Sequence, residues 1–171
     1  MNSPQQEVTE TTVGSIADAW WKRLRSKPGA IVRLKRAGSI LEIILEPETH
    51  LLRRQFLSLP GARADIKVVA LVAGVLAWVD ERSDLSPGTQ LGRAAEKQPA
   101  IEPRLRRLLR EDRGGGDELL AQWRRMLALL KGASNPSSTA EVLFYWGDSV
   151  KKRLATEFYE NCSGLITTNK Q

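Results

Sequence analysis

Arginine and leucine are sorted onto opposite sides of one short segment, Ile101 to Arg113, which reads IEPRLRRLLREDR. At about 100° per residue, Leu105, Leu108 and Leu109 fall within one arc and Arg106, Arg107 and Arg110 on the other, with Arg104 at the border. Guanidinium groups in such a row can donate forked hydrogen bonds to phosphate oxygens. No nucleophile or metal ligand is mixed among the arginines, so the chemistry they offer is binding, not bond making.

The remaining reactive side chains are too sparse for catalysis. His50 is the single histidine, and Ser-His-Asp or Cys-His machinery needs an imidazole beside its nucleophile. Asp80-Glu81 and Glu111-Asp112 are adjacent pairs at expected helix ends. Neighbours in a helix do not face one another, so these read as solvated ends and not as a general acid and base. Gly114-Gly115-Gly116 lacks a following Lys-Ser/Thr and reads as a hinge or turn, not a phosphate loop. Cys162 is the only cysteine, which excludes an internal disulfide and a multi-thiolate zinc site. No catalytic residue, metal or cofactor is expected.

Twenty-six Lys/Arg against 20 Asp/Glu leave a net charge of +6, which points to a polyanionic partner. Residues 22–54 alone hold nine Lys/Arg and three Glu. The grouped cations are Lys35, Arg36, Arg104, Arg107, Arg110, Arg124 and Arg125. No zinc finger, RNA-recognition signature or GXXG loop accompanies them, so the expected contact is to a nucleic-acid backbone, without base reading and sensitive to salt.

The elements that must position these residues are helical, because strand alternation is nearly absent. Ser15 is placed to cap a first helix with Ile16, Trp20 and Leu24 on one stripe. Residues 30–37 form a second helix that turns Arg33, Lys35 and Arg36 away from its apolar side. Pro47 opens a helix through His50, Arg53 and Phe56, and Val68 to Val79 is a buried core helix about half the length of a membrane span. Asp117 caps the segment DELLAQWRRMLALLK, whose stripe is Leu120, Trp123, Leu127 and Leu130, with Arg124 and Arg125 to one side. The last region carries Val150, Leu154 and Phe158. Trp20, Trp78 and Trp123 lie on apolar stripes, whereas Trp21, beside Lys22 and Arg25, is open to a subunit contact or partial exposure. The expected architecture is all-α, with a disordered tail over 1–14, an N-terminal helical lobe over 15–80, a connecting loop over 81–100 and a C-terminal helical lobe over 101–171. The polar, acidic start lacks a secretory signal, and a cytoplasmic location is expected.

An ordered series of motifs carries a family resemblance: AWW-x-x-L at 19–24, a Pro-Gly turn, LKRA at 34–37, LGRA at 91–94, RLRRLLREDR at 104–113, LLAQWRRMLALL at 119–130, YWGD-x-V-x-x-R-L at 145–154 and a terminal TTNKQ. Over residues 16 to 171 the chain resembles CasB, the small subunit of the type I-E CRISPR surveillance complex, Cascade. The resemblance implies an all-helical, two-lobe protein without enzymatic activity, present as two copies stacked head-to-tail. Its implied partners are other Cascade subunits, the displaced non-target DNA strand and the guide RNA–target duplex. Carried over by position, it assigns nucleic-acid contacts to Arg36, Arg63, Arg104, Arg110, Arg113 and Arg124. The chain departs from the family pattern with Leu154 in place of an aromatic residue and PETHLL at 47–52 in place of PxFxRL, which leaves residues 48–54 without an assigned role. The rival expectation is a structural adaptor whose basic faces dock on other subunits and never meet nucleic acid. A hydrolase or nuclease would need a carboxylate or ligand cluster that the sequence lacks.

Overall fold

Prolines and polar caps divide the chain into short helices, and the computed structural model describes residues 10–61 and 63–163. The elements are α1 Val13–Leu24, α2 Pro28–Arg36, α3 Ile40–Ile44, α4 Pro47–Leu57, α5 Ile66–Leu76, β1 Glu81–Arg82, α6 Pro87–Ala95, α7 Ile101–Leu109, α8 Asp117–Leu129, β2 Ala133–Ser134, α9 Pro136–Phe144 and α10 Asp148–Glu160. Proline stands in the first turn of α2, α4, α6 and α9, where its missing N–H costs nothing. The all-α expectation holds. The only sheet among the described residues is one parallel pairing of the two short strands, Glu81 with Ala133 and Arg82 with Ser134.

Several boundaries differ from the expected ones. Thr12, not Ser15, caps α1: the Thr12 hydroxyl accepts from Ser15 N at 3.1 Å and Ser15 Oγ accepts from Thr12 N at 2.9 Å. Val13 and Gly14 are thus helical and buried, and residues 1–9 of the expected tail lie outside the described residues. The expected loop over 81–100 holds α6 instead. Its charge, serine and glycine content reads as loop, but Pro87 starts a helix whose Gly88 and Gly92 lie directly against α10. Gly116, at φ 91°, is the N-cap of α8, and the Asp117 carboxylate reaches across to accept from Ile40 N at 2.8 Å. It thereby satisfies a free donor at the start of α3. Asp117→Ala is expected to cost about 1 kcal/mol, read as a shift of the urea midpoint at constant slope.

From Val68 onward helix α5 is apolar all round, with Val69 through Val75 at or near zero exposure, and takes the centre. Helices α3, α4, α8 and α9 pack on it, and α1 lies along α9 and α4. A second group joins α6 to α10 and α7, and α7 to α8. One apolar cluster runs through both groups, and the division does not follow chain order, because α9 from the C-terminal half packs on α1 and α5. Trp21 is buried, with its indole N–H on Val79 O at 2.9 Å and the guanidinium groups of Arg25 and Arg82 over its ring at 5.4 and 5.5 Å. That settles the alternatives left open for Trp21: it is core, not contact surface.

Candidate nucleic-acid interface

Ile101, Leu105 and Leu108 are fully buried and anchor α7 on its neighbours. Arg107 is exposed on the opposite side and Arg104 at its border, and Arg110 follows at the C-cap with the same spacing of three. Among the described residues, none of these three side chains makes an ion pair or hydrogen bond. Arg106 differs, since its guanidinium pairs with Glu102 one turn back. Glu102 also accepts from Tyr159 Oη at 2.8 Å. The Arg106 hydrogen bond, helped by Tyr159, holds the Glu102 carboxyl below the usual carboxylate range. The basic row is thus narrower than periodicity suggests, and Arg104, Arg107 and Arg110 carry it.

A second basic feature lies between α2 and α8. Lys35, Arg36, Trp78, Asp80, Leu127, Ala128, Lys131 and Gly132 line a groove of about 450 Å³. Lys35 Nζ lies 2.8 Å from Asp80 Oδ1, which offsets its charge, while Arg36 and Lys131 have no acidic partner among the described residues. Arg125, Ala128 and Lys131 recur at every third residue on the exposed side of α8 and its end, so Arg125 extends this edge upward. Lys131 was not anticipated from sequence. Its signal was Lys-Gly at a helix end: Lys131 has φ 55° and Gly132 φ 76°, the left-handed turn that stops α8.

Two expected contacts turn inward. Arg124 is only 9% exposed. Its guanidinium donates to Ala37 O, to Leu34 O at 2.9 Å and to Gly74 O at 3.2 Å, and it lies over the Trp78 ring at 5.3 Å. Burial pushes its pKa down to about 10, so it stays charged at neutral pH. Arg113 is half-buried and donates to Phe144 O at 2.7 Å and Trp146 O at 3.3 Å, with burial again lowering its pKa. With all three of its nitrogens on carbonyls, Arg124 is not a surface phosphate contact, whereas Arg113 commits only Nη2 to these carbonyls. Helical spacing alone cannot show this, because the acceptors come from helix ends distant in sequence. Arg63 is exposed but stands apart, in a cavity of about 550 Å³ with Glu10, Glu141, Phe144 and Tyr145.

The cations of α1 and α2, where the sequence concentrates its charge, are mostly neutralised. Lys22 pairs with Asp18, Lys27 with Glu48 at 2.8 Å, and Arg33 with Glu46 at 3.0 Å. Exposed His50 is hydrogen-bonded to Ile44 O at 2.7 Å and Cys162 is buried. Among the described residues no group of three or more His, Cys, Asp or Glu is placed to hold a metal, and no helix is long and apolar enough to cross a membrane.

Short helices on a central apolar helix, with an unpaired arginine row and a basic groove, define a compact all-α protein with a surface suited to polyanions. The family model of CRISPR-associated protein Cse2 matches residues 31–159, and the chain belongs to this family, to which the name CasB also attaches. The fold agrees with that of a Cse2-family protein from Thermus thermophilus (TM-score 0.67, 22% identity, 88% of this chain and 99% of that one). It agrees also with M. ruber CasB (TM-score 0.67, 20% identity, 94% and 99%). A chain of E. coli Cascade bound to a PAM-containing double-stranded DNA target is similar as well (TM-score 0.65, 20% identity, 86% and 97%). No curated protein sequence matches the chain.

Proposed function

We propose that this chain is a non-catalytic small subunit of Cascade in the cytoplasm, which holds nucleic-acid backbone non-specifically and so favours the R-loop. The observation that carries this reading is the contrast between the ion-paired cations of α1 and α2 and the unpaired Arg104, Arg107 and Arg110, with Arg36, Arg125 and Lys131 as a second set. Opening a duplex for a guide RNA exchanges base pairs of similar stability, so modest backbone contacts tip the balance. A strand held on these cations is removed from re-annealing by mass action. Other Cascade subunits and a second, head-to-tail copy complete the proposed set of partners.

Mobility-shift titration of single-stranded DNA over a range of salt tests this: affinity falls steeply with salt if phosphates are contacted, and a flat response would defeat the reading. Among the described residues Asp80 is the one carboxylate lining the groove. Asp80→Asn is therefore expected to strengthen binding roughly two- to fivefold in the same assay at low salt.

The adaptor reading has an observation of its own. Leu41 on α3 and Leu45 at its C-cap, one turn apart, are 66% and 73% exposed, which suits contact with protein. Crosslinking from the assembled complex separates the two: an adaptor crosslinks to protein alone, whereas the proposed subunit also crosslinks to DNA or RNA.

A further inference from the structure

We propose that Arg124 is a positioning residue: from beneath the groove it holds the last turn of α2 against α5 and α8, and so sets Lys35 and Arg36 across from Lys131. The consequence for binding rests on the backbone-binding reading above; the positioning itself does not.

Apart from the exposed ion pairs of Lys27, Arg33 and Lys35, each worth little, helix α2 has few anchors that fix its orientation. It spans nine residues, its N-cap Lys27 makes no side-chain capping bond, and only Ala30 and Leu34 are buried within it. A helix this short is marginal without tertiary anchors. Its end leaves carbonyls without intrahelical partners, at the negative end of the helix dipole. Arg124 supplies both the donors and the positive charge there, bonding Leu34 O and Ala37 O, the two carbonyls that flank Lys35 and Arg36.

The other side of the clamp is equally built. Near the end of α5, Trp78 N bonds Val75 O, and Gly74 O accepts from both Nε and Nη2 of Arg124. A Cβ at position 74 would run into Ile43 and Leu120, so glycine gives α3 and α8 room to approach α5, and the guanidinium packs beside it at ordinary contact distance. The Trp78 ring closes the site from one side. Among the described residues no carboxylate bonds Arg124. One planar, multidentate donor therefore ties α2, α5 and α8 together, a task that lysine, with a single ammonium, performs poorly.

Amide hydrogen exchange and DNA binding on the same variants test the proposal. In Arg124→Lys, amides at the end of α2, Ala37 among them, are expected to exchange on the order of tenfold faster, while α7 amides keep their protection. The salt slope of DNA binding falls by about one, and adding Arg36→Gln then changes nothing further, although it weakens binding in the parent. Arg104→Gln keeps its full effect in both backgrounds. Trp78→Phe, which leaves the carbonyl bonds in place, is expected to loosen α2 in the same direction by less, and serves if the lysine variant does not fold. Uniform loosening of all helices, or unchanged α2 exchange with an undiminished Arg36→Gln effect, would overturn the proposal. Selective loosening of α2 in a protein whose DNA binding is independent of salt would instead keep the clamp and refute the backbone-binding reading.

Discussion

Replacing Arg104, Arg107 and Arg110 together by glutamine is expected to weaken single-stranded DNA binding on the order of 100-fold at low salt. Each charge-assisted phosphate contact is worth about 1 kcal/mol net, and three are removed. The salt slope should fall by about 2, because each phosphate neutralised on a single strand releases part of a counterion. Glutamine has a helix propensity close to that of arginine, and the residues replaced are exposed, so helical circular dichroism should be unchanged. Arg106→Gln is the control. Its guanidinium is already paired with Glu102, so the loss expected is well below that of any of the other three. Equal losses from Arg106 and Arg107 would mean that the unpaired row does not define the contact.

The second large effect concerns Gly92 of the LGRA motif. A Cβ there would run into the carbonyl oxygen of Phe158 and lie 3.0 Å from Asn161 Cβ, so α6 must retreat from α10. Gly88, one turn earlier, lies equally close to Glu157 and Leu154 O. Gly92→Val is expected to destabilise the fold by about 3 kcal/mol, lowering the melting temperature by roughly 6 to 12 °C in a chain of this size. Gly38, where an added Cβ meets nothing within 4 Å, is the comparison, and Gly38→Ala should be near neutral. Binding by folded Gly92→Val should keep the parent's salt slope, since no phosphate contact is removed. LGRA is therefore a helix-packing motif, although in sequence it marks the family as clearly as the arginine helix does.

The two motifs show which features periodicity can reveal. The buried stripe of α7 is local: Leu105 and Leu108 share a face because a helix has 3.6 residues per turn, whatever it packs on. Arg124 is not readable in that way. It stands next to Trp123 on the buried side of α8 and looks like any flanking arginine until Leu34 O, Ala37 O and Gly74 O converge on it. The α6 helix was obscured for a related reason. Its polar, glycine-containing sequence suits a loop, and only α10 lying against Gly88 and Gly92 makes the glycines useful in a helix.

The amino-acid sequence by itself determined that the chain is helical, which helix is fully buried, where arginines stand opposite leucines, and which family the ordered motifs belong to. These follow from spacing and residue type within single segments. Apart from the pairs within one helix, Lys22 with Asp18 and Arg106 with Glu102, tertiary structure decided which cations remain free. Lys27 meets Glu48, Lys35 meets Asp80 and Arg82 meets Asp18 across chain separations no helical period encodes. Charge is a property of composition, but available charge depends on which carboxylates and carbonyls the fold brings within reach.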